Sequence, residues 1–314
     1  MAQIVCPNKL LPGDTVAIVA PSEPVEREDV TKTKAYLEGL GYKVKLGKHL
    51  FYKIGDYTAG TIEDRAEDVN WAFGDPEIKA IFAGQGGYAA DQILDRVDYE
   101  AVSKNPKIFV GYSDATTLQF ALFAKANLVT FSGPNGAGLH EQDKYTYDYL
   151  WPTLTGFETP KIIPAEGNKW EVLRSGKGRG LLIGGNLDCI CSLLGTIYDP
   201  LSKLTDQKII LFWEEDESIF NDIIRDMFQL KNAGVLERCE GMLVGKITNS
   251  SEEGGYVGIP ELRYTLLQLA RAFDFPIIWN MDFGHVPAKI TIPQGVEGEI
   301  DTKTLTIKFQ NGVL

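Results

Sequence analysis

"KIFVGYSDATTLQFALFAK", residues 107–125, joins two patterns in one short turn. Ile108, Phe109 and Val110 read as a buried strand, Thr116 to Lys125 read as a helix, and Gly-Tyr-Ser-Asp connects them. The pattern recurs on the N-terminal side. Thr15 to Val19 is a strand, followed by a helix through Val30, Leu37 and Leu40. Tyr42, Val44 and Leu46 alternate with Lys43 and Lys45, as in a half-exposed strand. Thr61 caps a helix whose apolar stripe is Ile62, Ala66, Val69 and Phe73, ending near Gly74-Asp75-Pro76. Ile78 to Ala83 is a further strand, followed by a Gly-rich loop and a helix around Ile93 and Leu94, and "LVTFSG" supplies one more strand. Repeated βα units predict an α/β fold with a parallel, doubly wound sheet.

The alternation breaks over 143–178, a stretch rich in Pro, Gly and charge, and resumes with "LLIGGNLDCICSLLGT". We expect a first domain over 1–150, a connecting segment over 151–178 and a second domain over 179–314. In the second domain "KIILFW", "MLVGKI" and "PIIWN" read as strands, with helices through Ile219, Ile223, Met227 and Leu230 and from Pro260 to Phe273. "VEGEIDTKTLTIKF" reads as a β-hairpin.

Thirty-one basic against 43 acidic residues give a net charge of −12. That balance argues against a nucleic-acid or anionic-membrane surface, which needs a positive field. No stretch reaches the roughly 20 apolar residues of a membrane span. The N-terminal residues lack the basic and apolar regions of a secretory signal. Cys6, Cys189, Cys191 and Cys239 read as reduced packing residues, which points to the cytosol.

Four features could carry chemistry, and each also has a structural reading. Ser113 is either a helix N-cap or a nucleophile raised on a strand-to-helix turn beside helix N–H groups. Gly111-x-Ser113-x-Ala115 only approximates the nucleophile-elbow pattern. Of the three histidines, His49 and His140 lie in polar turns and read as surface residues. His285, in the loop after "PIIWN", is either a satisfied structural histidine or a base at the carboxyl end of a strand. No His or Cys lies at zinc-like spacing, so no metal is expected. "WEEDES" runs off a buried strand. Glu214, first off it, is the candidate to orient an imidazole, while Glu215, Asp216 and Glu217 read as a solvated acidic tract before a helix. "AGQGGYAADQIL" is a tight turn or a donor loop. It matches neither nucleotide-binding Gly motif, but a Gly-Gly N–H together with that of Asp114 could hold an oxyanion.

In combination, "LLPGDTVAIVAPS", "TAGTIEDRAEDVNWAFGDPEIKAIFAGQGGY", "NPKIFVGYSDATTL", "LLIGGNLDCICSLLGT", "ILFWEED" and "FGHVPAKITIPQG" resemble, in order, the LD-carboxypeptidase family of serine peptidases, which includes the microcin C immunity peptidases. The resemblance implies a Rossmann-like N-terminal domain carrying Ser113 and a smaller α/β C-terminal domain carrying Glu214 and His285. The active site it implies lies between the domains, commonly in a homodimer. Ser113 would be the nucleophile, His285 the base and Glu214 the orienting acid. Asp114, Gly86 and Gly87 would form the oxyanion hole, with Gln85 and Asn186 at the substrate. No cofactor or metal is implied. The substrate it implies is a small peptide or a peptidyl-nucleotide: either a muropeptide tetrapeptide losing its terminal D-alanine, or an aminoacyl-nucleotide amide. Many members carry Arg where this chain has Gln85. An α/β-hydrolase esterase would share the order Ser, acid, His, but would need Gly at 115 and an HGGG-like segment, and neither is present. A non-catalytic sugar- or nucleotide-binding protein would have no use for an activated serine.

Overall fold

The computed structural model describes residues 3–55, 57–157, 161–250 and 258–314. The chain divides into two compact units, Met1–Pro160 with Thr291–Gly295 and Asn311–Leu314, and Lys161–Ile290 with Val296–Gln310.

Along the first unit run β1 (Thr15–Val19), α1 (Arg27–Gly39), β2 (Lys43–Leu46), α2 (Ile62–Gly74), β3 (Ile78–Ala83), α3 (Tyr99–Lys104), β4 (Ile108–Gly111), α4 (Ala115–Ala126), β5 (Thr130–Ser132) and α5 (Lys144–Thr155). The strands pair in parallel in the order β5-β4-β3-β1-β2. Thr61 and Asp64 form a reciprocal capping box at the start of α2, an arrangement worth about 1 kcal/mol. The residues expected as a helix around Ile93 form a 3-10 turn, Ala90–Arg96.

In α4 only Lys125 is exposed, so the helix is apolar on nearly every face. Its one buried amide, Gln119, donates from Nε2 to the Gly111 carbonyl at 3.0 Å and the Phe131 carbonyl at 2.8 Å. That fastens the helix to the ends of β4 and β5. Strand order reverses between β3 and β1, so the loops after these strands flank a switch point, the usual place for a ligand crevice in such sheets.

The second, smaller unit contains β6 (Glu171–Arg174), β7 (Lys177–Asn186), α6 (Leu187–Leu193), β8 (Ile209–Asp216), α7 (Phe220–Asn232), β9 (Cys239–Thr248), α8 (Ile259–Leu269) and β10 (Ile277–Trp279). The chain then lends β11 (Ile292–Gln294) to the first unit, where it pairs antiparallel with β5. It returns for the hairpin β12 (Glu297–Asp301) and β13 (Thr306–Phe309). The sheet order is β13-β12-β7-β8-β9-β10-β6, with a parallel centre and antiparallel edges. Both units are thus α/β, as expected.

The stretch over which the alternation breaks contains α5, which is capped by Asp143 through the Thr146 N–H at 2.7 Å and carries Pro152 in its interior. Among the described residues no helix is long and apolar enough to cross a membrane.

Candidate active site

Ser113 sits between β4 and α4 with φ +64°, in the left-handed region that side-chain-bearing residues avoid. The N-cap of α4 is Asp114, with ordinary helical angles. The serine is therefore not the cap. It occupies a strained turn just ahead of the helix, at a cost of order 1–2 kcal/mol. The Asp114 carboxylate is buried and braces this turn. Its Oδ2 accepts from Ser22 Oγ at 2.5 Å and from the Ala89 and Ala90 N–H groups, each at 2.8 Å. The loops after β1, β3 and β4 are tied together at that one oxygen.

Gly86 lies against the serine. A Cβ there would stand 2.7 Å from Ser113 Oγ, so only glycine lets the backbone come so close. Gly87 follows at φ +130°. Gln85 is exposed and donates to Glu23 Oε2 at 3.3 Å. Buried Arg65 of α2 holds the same loops from beneath, donating to the Pro21 carbonyl at 2.9 Å and the Ala89 carbonyl at 2.6 Å.

In the second unit Glu214 is 2% exposed and accepts from His285 Nδ1 at 2.7 Å. A carboxylate only accepts, so the proton is on Nδ1, and the neutral ring keeps its lone pair on Nε2. Burial opposes the charged imidazolium. The hydrogen bond and charge of Glu214, with Asp216 and Glu215 beyond, outweigh it and raise the His285 pKa above the ordinary histidine value. Gly284 makes the approach possible: at φ +105°, a Cβ there would lie 2.6 Å from Glu214 Oε2.

The loop carrying His285 is anchored on both sides. Asp282, buried, accepts from the Ala165 N–H at 2.9 Å, Asn168 Nδ2 at 2.7 Å and Trp170 Nε1 at 2.7 Å. Opposite Glu214, β9 carries an extra residue at Gly245–Lys246. There the Lys246 N–H leaves the ladder and donates to the Phe283 carbonyl at 3.0 Å.

Strand alternation turns Glu215 to the other face of β8. The expectation that it is solvated is wrong: Glu215 is 1% exposed. It accepts from Asn186 Nδ2 at 3.1 Å, the Asp188 N–H at 3.0 Å and the Asp216 N–H at 2.9 Å. Burial, reinforced by the charge of Glu214, pushes its pKa up to about 7. Asn186 caps α6 through the Cys189 N–H at 3.2 Å and pairs in register with Glu214.

Ser113, Asp114, Gly86, Gly87 and Gln85 thus follow the carboxyl ends of β3 and β4 in the first unit, and Glu214, His285 and Asn186 lie at or after the carboxyl ends of β8, β10 and β7 in the second. Ser22, Arg65, Asp282 and Glu215 were not expected as supports. A buried Arg in a helix stripe, and an Asp three residues before the candidate histidine, were the only hints. His49 and His140 are not surface residues either. His49 is 3% exposed against Asp68, and the His140 ring nitrogen lies 3.2 Å from both Thr33 Oγ1 and the Ala137 carbonyl. All four cysteines are free.

The LD-carboxypeptidase N-terminal domain matches residues 16–133 and the LD-carboxypeptidase C-terminal domain matches 179–300. A Bacillus subtilis protein described as "Probable murein peptide carboxypeptidase" is 32% identical, covering 98% of this chain and 95% of its own. The Escherichia coli microcin C7 self-immunity protein MccF is 29% identical over 95% of this chain and 94% of its own. The crystal structure of an MccF-like protein from Bacillus anthracis superposes with a TM-score of 0.84 at 30% identity, covering 96% of this chain and 97% of that one. With both domains matched in order and relatives aligned nearly end to end, the chain belongs to the LD-carboxypeptidase family and is a serine-type carboxypeptidase.

Proposed function

We propose that the chain releases the terminal D-alanine of muropeptide tetrapeptides through a Ser113–His285–Glu214 acyl-enzyme mechanism. His285 Nε2 takes the Ser113 proton as Oγ attacks the carbonyl carbon. Glu214 holds the ring in the tautomer that makes this possible and stabilises the imidazolium that results. The tetrahedral oxyanion rests on the N–H groups of Asp114 and the Gly86–Gly87 loop. His285 then protonates the departing D-alanine amine, and water, deprotonated by the same ring, releases the acyl group.

The observation that carries this reading is the 2.7 Å bond from His285 Nδ1 to a buried carboxylate, which leaves Nε2 as a base. The relative described as a murein peptide carboxypeptidase supports the substrate. Gln85 and Asn186 are assigned to substrate binding, with Asn186 acting from the cap of α6. The cytosol and a homodimer belong to the same proposal.

A second reading, cleavage of an aminoacyl-nucleotide amide, is favoured by one feature. Glu23, bonded to Gln85, sets negative charge beside the glycine loop, which disfavours a peptide's terminal carboxylate there. The E. coli relative is an immunity protein against microcin C7.

Mass spectrometry of a muropeptide tetrapeptide and of an aspartyl sulfamoyl adenosine, each incubated with the protein and with Ser113→Ala, separates the two. Serine-dependent loss of D-alanine is expected. Serine-dependent cleavage of the nucleotide alone would replace the first reading with the second.

A further inference from the structure

We propose that His49, Asp64 and Glu67 form a divalent-cation site in the first unit, suited to zinc. His49 follows β2, and the two carboxylates lie one helical turn apart on α2. The geometry begins with Asp68, on the same face of that helix. Its carboxylate accepts the backbone N–H of Lys48 at 3.0 Å, the backbone N–H of His49 at 2.9 Å and His49 Nδ1 at 3.1 Å. The ring is therefore fixed in position, with its proton on Nδ1.

His49 Nε2, on a side chain 97% buried (3% exposed), then faces Asp64 Oδ1 at 3.3 Å and Glu67 Oε2 at 3.7 Å. In the neutral ring this is a lone pair directed at two acceptor oxygens. With the ring neutral none of the three atoms brings a proton, and a positive charge at the centre would satisfy all three. Asp64 Oδ2 is occupied by the Thr61 N–H at 3.0 Å, which leaves Oδ1 for the site.

The spacing and the chemistry suit a transition metal. Tetrahedral zinc, with Zn–N and Zn–O near 2.0–2.1 Å, separates its donor atoms by about 3.3 Å. Nε2 and Asp64 Oδ1 already stand at that distance, and all three donor atoms lie within 4.8 Å of one another. One imidazole and two carboxylates suit zinc better than calcium, which takes oxygen alone. Asp68 behind the ring supplies the outer carboxylate that metal-bound histidines usually have. Glu67 is 60% exposed, so water has access to a fourth position. A competing cation is Lys48, whose Nζ lies 3.6 Å from the other Glu67 oxygen and is itself largely exposed. No residue of this cluster belongs to the proposed hydrolytic machinery.

The test is calorimetric titration of the chelator-treated full chain with zinc chloride, alongside thermal melts with and without the ion. Glu67→Gln is the first variant, because its exposed side chain can change without disturbing the fold. His285→Ala is the second, as a control, because His285 also lies beside two carboxylates, Glu214 and Asp216. We expect one zinc per chain, a higher Tm with zinc, at least tenfold weaker binding in Glu67→Gln and unchanged binding in His285→Ala. The absence of both stoichiometric binding and a Tm shift would overturn the site. Binding that survives Glu67→Gln and disappears in His285→Ala would overturn it as well.

Discussion

The backbone of Ser113 separates strain from chemistry. Its φ of +64° is unfavourable for any residue with a Cβ and costs glycine little. Ser113→Ala and Ser113→Gly both remove the hydroxyl, so each should lower turnover by at least ~10³-fold. Only the glycine variant relieves the turn, and it should unfold about 1 kcal/mol later than the alanine variant in urea. Equal stabilities would mean the turn is not strained. His285 gives a second prediction. Its pKa is raised, so it stays charged, and unable to accept a proton, to higher pH than an ordinary histidine. The kcat/KM should therefore rise as pH climbs through that raised value. Glu214→Gln removes the charge that outweighs burial. The acid limb should move to lower pH while the plateau falls roughly 10²- to 10⁴-fold. An acid limb that stays in place would remove Glu214 from the role assigned to it.

At the scale of elements, β8 presents two adjacent glutamates to opposite buried faces, and the second serves α6. Glu215 takes N–H groups on both oxygens, so Glu215→Gln must turn an amide NH₂ toward a donor. The expected cost is about 1–3 kcal/mol, read from denaturant melts. This revises the mild effect that a solvated residue would have. The comparison shows what the sequence can disclose. Strand and helix periodicity, the Thr61 cap and the strand–turn–helix around Ser113 are local patterns, and all were legible. The burial of Glu215 and His49, and the half-burial of His140, were not. Each is covered by residues distant in sequence, as Thr33 covers His140 from 107 positions away. A polar string of letters looks the same in either setting. Helix α5 was missed because Pro152 and its tyrosines obscured its period, although Asp143 marked its start.

For the whole molecule, the division into units does not follow chain order. Residues Ile292–Gln294 pair with β5, and Leu314 accepts from the Lys9 N–H at 3.2 Å, so distant segments complete the first unit. A fragment of residues 1–160 lacks them and exposes the open edge of β5. It should be aggregation-prone, and where soluble it should melt below the corresponding transition of the full chain by circular dichroism. A fragment as stable as the full chain would show that β11 adds nothing to that sheet.

The late arrival of β11 also matters while the protein is being made. At about 5–20 residues per second, roughly 130 residues of further translation separate the end of the first unit's main segment from its last strand. For something like 7 to 26 seconds the nascent first unit holds Ser113 in a sheet with a bare edge. During that interval its open edge invites pairing with another chain, and His285, the proposed base, is made only near the end.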